Sequence, residues 1–301
     1  MLETLAGNAL LKADLQQAVA EKTLSHGILL CGEEGCGCGY AARCLAADYL
    51  CPQGGDAARA VMEGKSSECI EIEGEGASGE IKIDRIREMR QEIFDTALSA
   101  NGRVVIIYGA QHFNQASANA LLKVLEEPPQ GVVFLLTSSG SAAVLPTIRS
   151  RCRIYNMAPV SAPECTQWLN THYPACPDAR ELSIIYAGCI GLAAGAAQGQ
   201  SSPRGKSLAL AKELAQCISQ KSSYRAMILL AALEKDKTGA RLLLEDLRCL
   251  AAAALRAGSG WGFVPKTAAR TVKLCSWALE GLTRNLNLKL LLTDLALRLC
   301  R

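Results

Sequence analysis

The sequence predicts an α/β domain with a parallel sheet covered by helices on both faces, followed by a small helical domain and a C-terminal all-helical domain. Two observations carry this prediction. Up to about residue 158, short apolar runs alternate with segments whose apolar residues recur at helical spacing, and strands that are apolar throughout are typical of parallel sheets buried on both faces. After Pro159 these runs disappear and only helical patterns continue.

The elements of the α/β domain follow from these patterns in chain order. Apolar runs predict strands over residues 26–31, 69–72, 103–108 and 132–137. Apolar residues at helical spacing predict helices over residues 5–21, 40–50, 83–93 and 115–127. The second strand leads into a glycine-rich loop at 74–79. Pro128 and Pro129 end the last helix because proline cannot donate a backbone hydrogen bond.

The rest of the chain is predicted to be helical with two breaks. Residues 160–200 predict short helices, and the Ser-, Pro- and Gly-containing residues 200–205 predict a linker. Strong helix formers continue from residue 207 to the last residue, with a second break at residues 258–260. The pattern therefore predicts three domains, over residues 1–158, 159–203 and 204–301.

The composition excludes several classes of protein. Half of the 301 residues are hydrophobic and 20% are charged, which is typical of a folded chain rather than a disordered one. The net charge is only +3, so any contact with DNA must be local or shared with partners. The uncharged stretch 182–203 contains four glycines together with Gln and Ser residues, so we expect no membrane-spanning helix.

Cysteine usage predicts the compartment and excludes two kinds of site. The 14 cysteines are scattered, and the sequence opens into a helical pattern without a signal peptide, so we expect a reducing cytoplasm and mostly buried free thiols. Cys44, Cys51 and Cys69 lack the spacing of a structural zinc site. Cys36 and Cys38 lack that of a redox pair, so neither a bound metal nor a catalytic thiol is predicted.

A glycine-rich segment stands between the first strand and the next helix, where a phosphate-binding loop belongs. The positions that match the motif are Gly32, Gly35, Gly37, Cys38 and Gly39. In a working loop the last two positions hold a lysine, which neutralises phosphate oxygens, and a Ser or Thr, which binds magnesium. Here both are replaced, and Glu33 and Glu34 add negative charge. We predict a tight glycine turn without a cofactor, with residual nucleotide binding through backbone amides as the alternative.

The end of the third predicted strand lacks the acidic residues of an NTPase. A magnesium-dependent enzyme places carboxylates there, one to hold the metal and one to orient the attacking water. The sequence at this point is Tyr108-Gly109-Ala110-Gln111. Because two independent parts of an NTPase site are absent together, we predict no autonomous NTP hydrolysis.

Several motifs resemble those of one family. They are residues 118–129 (ANALLKVLEEPP), the strand end Thr137-Ser138, residues 148–153 (IRSRCR), and more loosely residues 24–27 and 81–87. Over roughly residues 5–158 the chain is similar to the bacterial clamp-loader subunits of the AAA+ class, which belong to the DNA polymerase III system. The resemblance implies an AAA+ domain with a degenerate phosphate loop, then a small helical lid domain and an all-helical collar domain for oligomerisation.

The resemblance also implies a role for Arg151, which lies between Ser150 and Cys152. In the family this arginine acts in trans, on the γ-phosphate of ATP bound by the adjacent subunit. A guanidinium suits this role because it stays charged and presents a planar fork of donors to phosphate oxygens. The alternative is that Arg151 pairs with a neighbouring carboxylate. We expect Arg149 and Arg153 to be surface or salt-bridge residues.

As a whole, the resemblance implies a non-hydrolysing clamp-loader subunit. Its implied partners are the tau/gamma ATPase subunits and the delta subunit, with the sliding clamp and primer-template DNA reached through the complex. Lys82, Arg85, Arg87 and Arg90 lie on the polar side of one helix, either as a solvated face or facing DNA phosphates. Two other functions stay open: a divergent tau/gamma-type ATPase that tolerates Cys38, and a helical interaction scaffold unrelated to replication.

Overall fold

The computed structural model describes residues 1–75, 79–94, 102–284 and 286–300. The chain forms two compact units, Met1–Val160 and Ser161–Arg301. Within the described residues no helix is long and apolar enough to cross a membrane. Residues 76–78 of the predicted glycine-rich loop lie outside the described residues. The division into three domains stays a prediction.

A parallel sheet forms the centre of the first unit. Its strands, as far as the chain is described, are β1 (Gly27–Cys31), β2 (Cys69–Ile72), β3 (Arg103–Ile107), β4 (Val132–Ser138) and β5 (Arg153–Asn156). They pair in parallel in the order β2-β3-β4-β1-β5. The first four confirm the predicted strands. The sequence pattern does not reveal β5 because only Tyr155 among its residues is buried, so it has no apolar run.

Helices cover both faces of this sheet. They are α1 (Ala9–Ala20), α2 (Cys38–Leu50), α3 (Gly55–Met62), α4 (Ile83–Phe94), α5 (Gln115–Glu126) and α6 (Pro146–Arg149). Successive strand residues point to opposite faces. Ile28 and Leu30 of β1 pack in one core with α1, α2 and α3, whereas Leu29 packs in a second core with α4, α5 and α6. The predicted α/β class with helices on both faces is confirmed.

The described part of the second unit is helical, as predicted. Its helices are α7 (Ala162–His172), α8 (Ala179–Ile185), α9 (Ile190–Ala197), α10 (Pro203–Ser219), α11 (Ser223–Ala231), α12 (Lys237–Ala257), α13 (Pro265–Thr283) and α14 (Leu288–Leu299). The predicted break at residues 258–260 follows α12, where Gly258 has φ 81°.

The linker predicted at residues 200–205 is wrong, because this segment consists of a short 3-10 helix (Gly199–Ser201) and the packed start of α10. Ser202 is buried; its Oγ accepts a hydrogen bond from Gly205 N at 2.9 Å and donates to Gly195 O at 2.6 Å. A Cβ atom at Gly205 would lie 1.9 Å from Gly199 O, so the two backbones approach closely. Ser before Pro at a helix start is an N-terminal capping pattern, and it is used as one here.

A buried network of ion pairs and hydrogen bonds joins α10 and α12 of the second unit to Tyr186, the residue that follows α8. Arg204 Nη1 donates to Asp246 Oδ1 at 2.8 Å, and Arg204 Nη2 donates to Glu245 Oε2 at 3.1 Å. Asp246 also accepts from the Tyr186 hydroxyl at 3.0 Å and from Ser207 Oγ at 2.5 Å. Burial raises the pKa of Tyr186 above its ordinary value, so its hydroxyl stays a donor. Asp246 is fully buried, and these donors compensate its charge.

Candidate functional site

The glycine-rich loop lies at the carboxyl edge of the sheet, where β1 and β4 end side by side. Gly32, the first residue after β1, donates its N–H to Ser138 O at 3.0 Å. Gly37 has φ 93°, a left-handed conformation that glycine adopts without strain, and α2 begins at the next residue. The predicted strand, loop and helix are thus present. The motif positions brought together there are Gly32, Gly35, Gly37, Cys38 and Gly39.

Cys38 and Gly39 stand at the two positions that hold lysine and Ser or Thr in a working loop. Cys38 carries no charge, and the surroundings of Gly39 leave little room for a side chain. Burial raises the pKa of the Cys38 thiol to about 11, so this side chain is neutral near pH 7. At Gly39, a Cβ atom would lie 3.1 Å from Cε1 of the Tyr108 ring, so any side chain there requires the ring to shift. The ring of Tyr108 thus lies against the first turn of α2.

Tyr108 belongs to a polar network that the sequence analysis does not identify. Its hydroxyl donates to Glu71 Oε2 at 2.9 Å, and Arg43 Nη2 binds the same carboxylate oxygen at 2.7 Å. The Arg43 guanidinium carbon also lies 5.6 Å from the centre of the Tyr108 ring. Burial raises the pKa of Tyr108, which keeps its hydroxyl a donor. Glu71, on β2, is a carboxylate near the ends of the strands, and it is already bound by two partners.

A magnesium-bound nucleotide does not fit these residues. Its phosphates would meet a neutral thiol at Cys38 in place of a lysine, and Glu33 and Glu34 would repel them. Its metal ion would find no hydroxyl at Gly39 and no carboxylate directly after β3. The absence of a cofactor and the absence of hydrolysis both stay predictions.

Arg151 lies in a short turn between α6 and β5. Its Nη1 donates to Thr147 O at 3.0 Å and to Ser150 Oγ at 3.3 Å. Its Nη2 binds Glu126 Oε1 at 2.5 Å. The Arg151 side chain is 35% exposed and that of Glu126 is 51% exposed. Arg151 therefore has a carboxylate partner in its own chain, and both members of the pair remain open to solvent.

The two motif neighbours of Arg151 support the turn. Ser150 Oγ donates to Thr147 O at 3.0 Å, in addition to accepting from Arg151. Cys152 packs against the core that contains α4 and α5, and burial raises the pKa of its thiol to about 12. An open cleft surrounds the guanidinium. It is lined by His26, Leu125, Glu126, Ser150, Arg151 and Cys152.

The glycine-rich loop and Arg151 lie at opposite ends of the parallel strands, the loop at their carboxyl ends and Arg151 at their amino ends. The loop follows the carboxyl end of β1, whereas Arg151 precedes β5, which pairs in parallel with β1. A Cβ atom at Gly27, the first residue of β1, would lie 2.9 Å from Arg151 O. The five residues of β1 span about 13 Å from the first Cα atom to the last, at about 3.3 Å per step. This distance is longer than an arginine side chain, so Arg151 does not reach the loop of its own chain.

The neighbouring arginines have local partners. Arg153 Nη2 binds Asp14 Oδ2 at 2.9 Å, and Arg149 Nη1 donates to Ser141 O at 3.5 Å. These contacts agree with the expectation that Arg149 and Arg153 are surface or salt-bridge residues.

Three of the four basic residues at α4 bind carboxylates close by, with Arg90 as the exception among the described residues. The ion pairs are Lys82–Glu75, Arg85–Glu88, Arg85–Glu92 and Arg87–Asp84. These contacts are typical of a solvated helix face, and a DNA contact here stays a prediction. Across all the described ranges, no group of three or more His, Cys, Asp or Glu side chains is placed to hold a metal ion.

Comparison with known proteins identifies the family. Residues 6–161, just over half of the chain, match the model of the family described as DNA polymerase III, delta subunit. The chain belongs to this family. It is 34% identical over 187 residues to the DNA polymerase III subunit delta' of Pseudomonas aeruginosa, which covers 58% of this chain and 56% of the relative. It is 33% identical over 153 residues to the subunit gamma/tau of Mycobacterium tuberculosis, which covers 48% of this chain and 26% of the relative.

The fold is shared with a solved structure over nearly the whole chain. The gamma subunit-related protein of Thermotoga maritima superposes with a TM-score of 0.54 at 22% identity, covering 94% of this chain and 97% of that chain. The predicted AAA+ fold class and the resemblance to this family are confirmed, whereas the lid and collar domains stay predictions. The aligned part of the chain spans about a quarter of the gamma/tau relative and just over half of the delta' relative.

Sequence identity alone does not separate delta' from gamma/tau subunits, because both relatives are about one third identical to this chain. The matching family model, however, is that of a delta subunit, and several relatives are delta' subunits. The degenerate phosphate loop and the Ser-Arg-Cys motif that the resemblance implies for a delta' subunit stay expectations. Five residues contribute contacts around these sites that could not be predicted from the sequence. They are Arg43, Glu71, Glu126, Thr147 and, as a packing residue, Tyr108.

Proposed function

We propose that the chain is a non-hydrolysing, delta'-like subunit of the DNA polymerase III clamp-loader complex. It supports ATP-dependent loading of the sliding clamp by offering Arg151 in trans to an ATP site on a neighbouring subunit. Its partners in this proposal are the tau/gamma ATPase subunits and the delta subunit. It acts on the sliding clamp and primer-template DNA through the complex.

One observation carries the proposal: Arg151 is partly exposed in a polar cleft at the amino ends of the strands, whereas the phosphate loop of the same chain lies at their carboxyl ends. An arginine in this position does not serve a nucleotide of the same chain, because a full strand length separates the two. Its partly exposed side chain can be reached by an anion on another molecule. A guanidinium placed at a transferring phosphoryl group stabilises the charge that develops there.

The glycine-rich loop supports the part of the proposal that this chain does not itself hydrolyse ATP. Cys38 is neutral in place of the phosphate-binding lysine, and the Tyr108 ring lies against Gly39, where a magnesium-binding hydroxyl would stand. The reaction to which this subunit contributes therefore takes place on its neighbour. A divergent tau/gamma-type ATPase, the second candidate, needs the same loop to bind magnesium and nucleotide.

The decisive experiment is reconstitution of the complex with Arg151→Ala. With clamp and primer-template DNA present, hydrolysis at the site next to this subunit is expected to fall by about 10³-fold or more, because trans arginines contribute roughly 10³–10⁵ in rate. Clamp loading is expected to fall with it. Single-turnover ATP hydrolysis measures the first effect, and clamp retention on primed DNA measures the second.

Arg153→Ala is the matched control, because Arg153 lies two residues away and pairs with Asp14 on the surface. It should leave both rates near those of the unaltered complex. Unchanged hydrolysis with Arg151→Ala would overturn the proposed role of this arginine. Turnover of ATP by the isolated chain would favour the tau/gamma-type reading, and failure to assemble with the gamma/tau and delta subunits would favour a scaffold outside replication.

A further inference from the structure

Arg151 is not a free cation in the isolated chain. Its Nη2 binds Glu126 Oε1 at 2.5 Å, while its Nη1 is bound to Thr147 O and Ser150 Oγ. A guanidinium paired with a carboxylate presents little net charge to an approaching polyphosphate. The proposed trans role therefore requires that the contact with Glu126 be broken or exchanged when the neighbouring subunit binds ATP.

We propose that Glu126 is a positioning residue that regulates Arg151 by exchange. Glu126 binds Nη2 while the neighbouring site has no triphosphate, and phosphate oxygens replace Glu126 when ATP is bound there. The inference rests on the proposed function, because it names how the arginine of that same site is held and released. It adds a residue from α5 to a site otherwise built from the turn before β5.

The geometry favours exchange over permanent pairing. Both side chains are partly exposed, so a carboxylate that loses its partner is solvated at once, and an exposed ion pair contributes little to stability. Phosphate oxygens bind a guanidinium through charge-assisted hydrogen bonds of the same kind as the contact with Glu126, and a triphosphate carries more negative charge than one carboxylate, so it can take the place of Glu126. Glu126 is the last residue of α5 and precedes Glu127, so its side chain can leave without disturbing the helix core.

The contacts of Nη1 are suited to keep the arginine in place during the exchange. Thr147 O belongs to α6, and Ser150 Oγ is fixed by its own hydrogen bond to Thr147 O at 3.0 Å. These two acceptors hold one side of the guanidinium against the turn. Only the Nη2 side, which faces Glu126, needs to change partners. The arginine is then oriented before the phosphate arrives, which lowers the entropic cost of binding it.

Glu126→Gln tests the exchange. In the reconstituted complex with clamp and primer-template DNA, we expect the KM for ATP to fall by about twofold to fivefold, since removing a competing exposed ion pair is worth up to about that factor. The kcat should stay within about twofold, because Arg151 itself and its Nη1 contacts are retained. Steady-state ATP hydrolysis over a range of ATP concentrations separates the two parameters.

Glu127→Gln is the matched control. It removes the same charge one residue away, and Glu127 forms no ion pair within the described ranges of the chain. It should leave the KM unchanged. In the double variant Glu126→Gln with Arg151→Ala, the effect of Glu126→Gln on KM should disappear, a result that a merely structural role for Glu126 does not produce.

Each outcome decides between the exchange and its rivals. A fall in kcat with Glu126→Gln would overturn the exchange, because it would make Glu126 part of the assembled arginine site. An unchanged KM, or the same change with Glu127→Gln, would overturn it too. If Arg151→Ala lowers hydrolysis while Glu126→Gln has no effect, only this inference fails. If Arg151→Ala has no effect, the proposed function fails and the exchange fails with it.

Discussion

Two arginines of this chain form ion pairs with carboxylates in opposite surroundings. Arg204, in α10, is 13% exposed and binds Glu245 and the fully buried Asp246. Arg151, before β5, is 35% exposed and binds Glu126, which is itself about half exposed. The same two functional groups are thus brought together once inside a helical core and once at the edge of a sheet.

Burial decides which of the two arginines is able to change partners. Removing one member of a buried pair leaves an uncompensated charge away from water, whereas an exposed member is solvated at once. Arg204 therefore holds α10 to α12 and has no freedom to bind anything else. Arg151 has that freedom, and a residue that acts on another molecule requires it.

The largest expected effect tests the buried side of this comparison. Arg204→Ala should lower the free energy of unfolding by about 3–5 kcal/mol, because it leaves Asp246 buried without its cation. Urea denaturation of the full chain, followed by circular dichroism, measures the loss in the helical second unit.

Arg241→Ala is the control for that experiment. Arg241 binds the other oxygen of Glu245 at 2.9 Å but is 56% exposed, so its removal should cost about 1 kcal/mol or less. Similar losses for the two variants would show that burial does not govern the strength of these contacts, and the comparison would fail.

An intermediate effect is expected at the network beside the phosphate loop. Arg43 is 36% exposed, about as much as Arg151, but its partner Glu71 is only 18% exposed, between Glu245 and Glu126. Tyr108→Phe removes a hydrogen bond to this carboxylate and should cost about 1.5 kcal/mol, the usual contribution of a bond to a charged group. The same urea titration measures it, now in the sheet-containing first unit.

Tyr224→Phe serves as its control because Tyr224 is 74% exposed, so its stability should change by no more than about 0.5 kcal/mol. If Tyr108→Phe changed the free energy of unfolding as little as Tyr224→Phe, the hydrogen bond to Glu71 would contribute nothing to stability. The role of Tyr108 would then be limited to the packing of its ring against Gly39.

The sheet could be predicted largely because its central strands are apolar throughout. The same reasoning misses β5, whose residues are mostly exposed and whose place in the sheet depends on pairing with β1. It also mistakes residues 200–205 for a linker, because Ser, Pro and Gly are common both in linkers and at helix starts. Only the tertiary contacts of Ser202 and Gly205 distinguish the two.

The candidate site shows the same limit. Arg151 and the substituted loop positions could be found from motifs, since each motif is continuous in sequence. Glu126 lies 25 residues before Arg151, and Glu71 lies 37 residues before Tyr108. Glu126 even falls within a quoted motif, but its sequence position gives no indication that it binds an arginine. Contacts between distant segments depend on the topology of the sheet and cannot be derived from local patterns.

The smallest expected effect completes the comparison. Arg151→Ala should change the free energy of unfolding by less than about 1 kcal/mol, because Glu126 stays solvated and the backbone of the turn is held by Ser150 and the partly buried Cys152. The urea titration used for Arg204→Ala measures it. A loss close to that of Arg204→Ala would make Arg151 a structural residue, and a fall in ATP hydrolysis would then report an altered fold. A small loss of stability combined with a large loss of hydrolysis is the result that assigns Arg151 to the neighbouring site.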